Sequence, residues 1–60
     1  MNRQIIFEFI PIGAYVKVIA FDVETKVEIS TITPRNISQS EQQRAAENKL
    51  LYVLKKNNEL

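Results

Sequence analysis

Few residues in this chain are able to do chemistry, and the closest pair is Asp22 and Glu24 in the stretch DVETK. Two carboxylates this near in sequence offer oxygen ligands to a hard cation. Both stand in a polar stretch that reads as a turn, where Asp is favoured because its carboxylate bonds nearby backbone. Capping accounts for Asp22 without a metal, and no metal ligand is expected. Ser38 and Ser40 carry the next candidate groups. A serine nucleophile needs a base beside it, and the chain has no His. Ser38-Gln39-Ser40-Glu41 reads instead as a capping box opening a helix, with Ser40 an alternative N-cap.

The absence of His also removes the side chain whose unperturbed pKa lies near neutrality. Acid–base work would then fall to a carboxylate, Lys or Tyr perturbed by a deep pocket, and 60 residues provide little wall for one. Cys is absent as well, so disulfides and the common zinc and haem sites are excluded. Gly13 is the sole glycine, which leaves no Gly-rich phosphate loop. No catalytic residue and no cofactor are expected, and the chain is read as not an enzyme.

The elements that position these residues follow from hydrophobic spacing. In IIFEFI the residues Ile5, Phe7 and Phe9 share one face of a strand, while Ile6, Glu8 and Ile10 share the other. Pro11-Ile12-Gly13-Ala14 carries turn chemistry. A second strand then sets Val16, Val18 and Ala20 on one face and Tyr15, Lys17, Ile19 and Phe21 on the other. Opposing Ile10 with Tyr15 aligns Phe9 with Val16, Phe7 with Val18 and Ile5 with Ala20. On the other face the same register sets Glu8 against Lys17 and Ile6 against Ile19, a favourable cross-strand arrangement. The next turn opens at Asp22 and places Lys26 in the left-handed position; opposing Asp22 with Val27 aligns Ala20 with Ile29 and Val18 with Thr31. Past Pro34-Arg35-Asn36 the chain shows the helical stripe Ala46, Leu50, Val53 and Leu54, with Lys55 and Lys56 at the negative end of the dipole. Leu51 points away from that stripe, and residues 57–60 are expected to fray.

The resulting expectation is one α+β domain over residues 1–60. It is a three-stranded antiparallel meander in the order 1-2-3 with one C-terminal helix packed on one face. The strands cover about 3–10, 15–22 and 27–33 and the helix about 39–56. The helix is expected to cover the face carrying Ile5, Phe7, Phe9, Val16, Val18, Ala20, Val27 and Ile29.

The other face is too apolar for a wet surface, with Ile6, Tyr15, Ile19, Phe21 and Ile32 set among Glu8, Lys17, Lys26 and Glu28. A chain this short buries only about 60% of its unfolded surface, and self-association is the remedy left when disulfides and metals are absent. The expected function is therefore a non-catalytic interaction module, a homo-oligomer or a partner of another protein, using this face or an edge strand. The alternative is a nucleic-acid-binding domain, since three strands and a helix is also the architecture of phage-integrase arm-binding and methyl-CpG-binding domains. Its contacts would be Lys17, Lys26, Arg35 and Arg44, but eight basic residues against seven acidic leave a net charge of only +1. Glu8 interrupts the N-terminal apolar run, so no signal peptide is read, and nothing approaches the roughly 20 apolar residues of a membrane span. A soluble cytoplasmic protein that contacts no membrane is expected.

Phe7-Glu8-Phe9, Gly13, Tyr15-Val16-Lys17-Val18, Ala20, Asp22, Thr25 and Glu28 form a motif set with Lys49-Leu50 and Tyr52-Val53-Leu54-Lys55. Over nearly the whole chain this pattern resembles a family of small, functionally uncharacterised bacterial proteins of similar length. The resemblance implies a bacterial cytoplasmic protein and assigns no activity, cofactor or site residue. The chain departs from the pattern at Lys26, where glycine is expected after Thr25.

Overall fold

The structure is a computed structural model and describes residues 3–60, so the first two positions of the expected domain lie outside the described residues. Strands β1 (Ile5–Ile12), β2 (Tyr15–Asp22) and β3 (Glu28–Pro34) form an antiparallel sheet in the order β1-β2-β3, and helix α1 (Gln39–Lys56) follows. This is the expected α+β architecture.

The first hairpin is tighter than its turn residues suggest. Ile12 pairs with Tyr15, Phe9 with Val18, Phe7 with Ala20 and Ile5 with Asp22, two residues out of the expected register. The turn is Gly13-Ala14 alone: Gly13 has φ +58 and Ala14 is not among the positive-φ residues, the type II′ pattern that matches strand twist. Pro11 and Ile12 therefore belong to the strand. β1 is an edge strand, and the alternation of the ladder turns the backbone nitrogen of Pro11 outward, where its missing hydrogen costs no bond to β2. A two-residue shift preserves side-chain faces, so the core face keeps its expected members. The outer face changes its pairings: Glu8 lies opposite Ile19, not Lys17, and Ile6 lies opposite Phe21, not Ile19.

The second hairpin has the expected register, with Ala20 opposite Ile29 and Val18 opposite Thr31. The amide of Asp22 donates to the Val27 carbonyl at 2.9 Å, and Lys26, at φ 65, donates to the Asp22 carbonyl at 2.8 Å. Helix α1 opens with the capping box: Ser38 Oγ accepts from the Glu41 amide at 3.1 Å, and Glu41 Oε1 accepts from the Ser38 amide at 3.4 Å. Its other end is closed rather than frayed. Asn58 takes φ 59 and donates to the Lys55 carbonyl while Glu59 donates to that of Leu54, the paired bonds of a Schellman motif.

Val16, Val18 and Ala20 of the sheet and Ala46, Leu50 and Leu54 of the helix are the buried hydrophobic core. Each buried leucine contributes about 1.5–3 kcal/mol by removal from water. Gln42 occupies the first turn of the same stripe, and its Nε2 donates to the Pro34 carbonyl at 3.2 Å. Leu51 also packs on this core, contrary to the expectation that it points away. The helix is offset: it lies over β2 and β3 and hardly touches β1. Ile5, Phe7 and Phe9 are consequently only half-buried, at the margin of the layer that was expected to cover them.

Candidate interaction surfaces

The carboxylate pair is pulled apart by the strand-to-turn transition. Asp22 ends β2 on its core-facing side with no accessible surface, whereas Glu24 is exposed in the turn. Asp22 Oδ2 accepts from Thr25 Oγ1 at 2.6 Å, from the Thr25 amide at 3.2 Å and from Arg3 Nη1 at 2.7 Å. The Thr25 hydroxyl bond is the largest influence holding this carboxyl below its ordinary pKa; burial opposes it, and Arg3 adds to it. Among the described residues Oδ1 has no hydrogen-bond partner. Asp22 thus ties the start of β1 to the second turn. No group of three or more His, Cys, Asp or Glu is drawn together among the described residues.

The helix-free face is laid out in four rows across the strands. They are Ile6–Phe21–Glu28, Glu8–Ile19–Ser30, Ile10–Lys17–Ile32 and Ile12–Tyr15–Pro34. Ile6, Ile12, Tyr15 and Ile32 are 53–57% exposed, while Ile10, Ile19 and Phe21 are half-buried among them. The five interface candidates Ile6, Tyr15, Ile19, Phe21 and Ile32 therefore share one surface. Ile12 joins them, a residue hidden in the sequence because Pro11-Ile12 has the chemistry of a turn. Lys17 stands at the centre, flanked by Ile10 and Ile32.

The four basic candidates are not brought together. Lys17 lies mid-face, Lys26 in the turn at one end of the sheet, and Arg35 at the other end, where its Nη1 donates to the Gly13 carbonyl at 3.1 Å. Arg44 is exposed on the helix, on the opposite layer from Lys17. An open hollow of about 470 Å³ beside Ala14, Tyr15, Arg35 and Asn36 holds only one of them.

The two sheet edges differ. The β3 edge is guarded by the helix: Lys49 Nζ donates to the Ser30 carbonyl at 2.7 Å, Gln42 reaches the Pro34 carbonyl, and Pro34 has no amide hydrogen. Among the described residues β1 has no such cover. The Val23 amide bonds the Gln4 carbonyl, and alternation along the ladder then turns Ile6, Glu8, Ile10 and Ile12 toward β2 and the backbone groups of Ile5, Phe7 and Phe9 outward.

No helix among the described residues is long and apolar enough to cross a membrane. Comparison with curated proteins and with solved structures returned no match. One family model does match, over residues 2–57, nearly the full length: the chain belongs to the family described as Domain of unknown function (DUF6898).

Proposed function

We propose that this chain is a non-catalytic protein-interaction module whose contact surface is the helix-free face of its sheet. The observation that carries this reading is the continuity of that face. Ile6, Ile12, Tyr15 and Ile32 are each more than half exposed, Phe21, Ile19 and Ile10 stand among them on β1 and β2, and Lys17 lies between Ile10 and Ile32. Covering such surface returns about 25 cal/mol per Å², and polar outer faces are the rule for sheets that stay wet. The charges on it are few: Glu8 and Glu28 lie on the outer strands, and Lys17 stands at the centre, where its aliphatic stem packs along apolar surface. Nucleic acid is the weaker reading because Lys17, Lys26, Arg35 and Arg44 belong to separate parts of the molecule. The motif resemblance supports a bacterial, cytoplasmic setting for the module.

A photo-crosslinking residue placed at Ile32, compared with one at the exposed helix position Gln43, tests this directly in cells. Protein adducts are expected from position 32, absent from position 43, and lost on adding Ile19→Lys. Equal adducts from both positions, or none from position 32, would overturn the reading. Adducts that a nuclease digests would transfer the face to nucleic acid.

A further inference from the structure

The open edge of β1 is a second unpartnered surface, separate from the helix-free face, and its role is independent of the function proposed for that face. We propose that β1 pairs with β1 of a second copy, antiparallel and about a two-fold axis at Phe7, making one six-stranded sheet across two chains.

Three features identify the occupant as another copy. The first is the hydrogen-bonding row: Ile5, Phe7 and Phe9 present outward amides and carbonyls in succession, a ready template for another strand. The chain guards the β3 edge with Lys49, Gln42 and Pro34, whereas among the described residues the stretch from Ile5 to Phe9 carries no such guard, Pro11 standing beyond it. The second is self-complementarity. With Phe7 opposite Phe7, Ile5 falls opposite Phe9 of the second copy and Phe9 opposite its Ile5, and each such pair exchanges two hydrogen bonds. The side chains of all three lie on the helix side, in the strip that the offset α1 leaves half-covered. The ring of Phe7 would meet its symmetry mate there, and Phe9, whose ring is already stacked with that of Phe7 at a centroid distance of 6.5 Å, would meet Ile5 of the second copy. The third is charge. On the opposite side this register sets Ile6 against Glu8 and Gln4 against Ile10, with no like charges opposed, and a net charge of +1 gives two copies little mutual repulsion.

Neighbouring registers are worse. Moving the axis to Glu8 would oppose two carboxylates and enlist Pro11, which has no amide hydrogen to give. Moving it to Ile6 would enlist Arg3, which lies before β1 and is held by Asp22.

The register is testable because the chain has no cysteine of its own. In the proposed pairing Ile6 and Glu8 of opposite copies form a close, non-hydrogen-bonded pair with Cα atoms about 4.5 Å apart, within disulfide reach. Ile6 and Ile6, or Glu8 and Glu8, lie on the diagonal at roughly 7–8 Å, beyond it. Mixing a chain carrying Ile6→Cys with one carrying Glu8→Cys under mild oxidation is expected to give a crosslinked heterodimer, and each chain alone much less. Sedimentation of the wild type is expected to show a dimer as concentration rises. Ile5→Pro, which removes an outward donor at the first strand position and hence one bond on each side of the axis, should weaken it roughly tenfold or more. A wild type that remains monomeric throughout, or single variants that crosslink as well as the mixture, would overturn the proposal. So would an association lost in Ile19→Lys but unchanged in Ile5→Pro, which would assign self-contact to the face. The converse result, β1 crosslinks without adducts from position 32, would remove the face reading and leave this one standing.

Discussion

Asp22 joins two roles that its position in the sequence separates. As the opener of a turn it was legible, because a carboxylate at that place bonds the backbone just after it. Its second partner was not, since Arg3 stands nineteen residues away and only the closing of both hairpins brings it within 2.7 Å. The pH dependence follows from the direction of its pKa. The native pKa lies below the ordinary 3.8, chiefly through Thr25, so protons bind the unfolded chain more readily than the folded one. The stabilisation is therefore fully present above the unfolded value and is lost as pH falls through the lower native value. Asp22→Asn should consequently be less stable than wild type near neutrality, with the gap narrowing steadily below pH 3.8. Urea melts of both proteins across acid pH check this; a gap that stays constant would mean that the carboxylate charge is not what the turn uses.

At the scale of elements, the two hairpins show what spacing encodes and what it does not. The β2–β3 register was legible because Asp22 and Lys26 mark both ends of the turn. Spacing alone sets the β1–β2 register two residues short, because Pro11 is turn chemistry in isolation and only its place on an outer strand makes it harmless there. Face membership survives the error since side chains repeat every two residues. Of the expected helix stripe Ala46, Leu50 and Leu54 are buried while Val53 is only half-buried. The offset of the helix toward β3 was not legible, because the short connection after Pro34 and the bonds of Gln42 and Lys49 to β3 carbonyls fix it there. The burial of Leu51 is hidden for the same reason. The Lys26 turn carries a prediction. A side chain at φ 65 is strained in the left-handed region, and glycine relieves that strain at a smaller entropic cost. Lys26→Gly should raise stability by about 0.5–1 kcal/mol in chemical denaturation; no gain would mean that the lysine side chain compensates locally.

On the scale of the whole molecule, the core is thin: among the described residues it holds six buried hydrophobic side chains, three from the sheet and three from a helix that leaves β1 at its margin. A chain of this size has little stability to spare, and the proposed β1 pairing would add to it by mass action. The thermal midpoint should then rise by roughly a few degrees for each tenfold increase in chain concentration, and Ile5→Pro should flatten that slope. A concentration-independent midpoint would mean that folding does not draw on association. The contrast between the two edges has a further consequence for stoichiometry. A sheet open on both sides can add copies without end, as fibrils do. Here Lys49 and Gln42 bond the outward carbonyls of Ser30 and Pro34, and Pro34 has no amide hydrogen, so in the proposed dimer the β3 side would be a poor docking strand for a further copy. In that dimer Lys49, Gln42 and Pro34 would act as chain terminators: they would set the length of the assembly at two, and removing them is where polymerisation would begin.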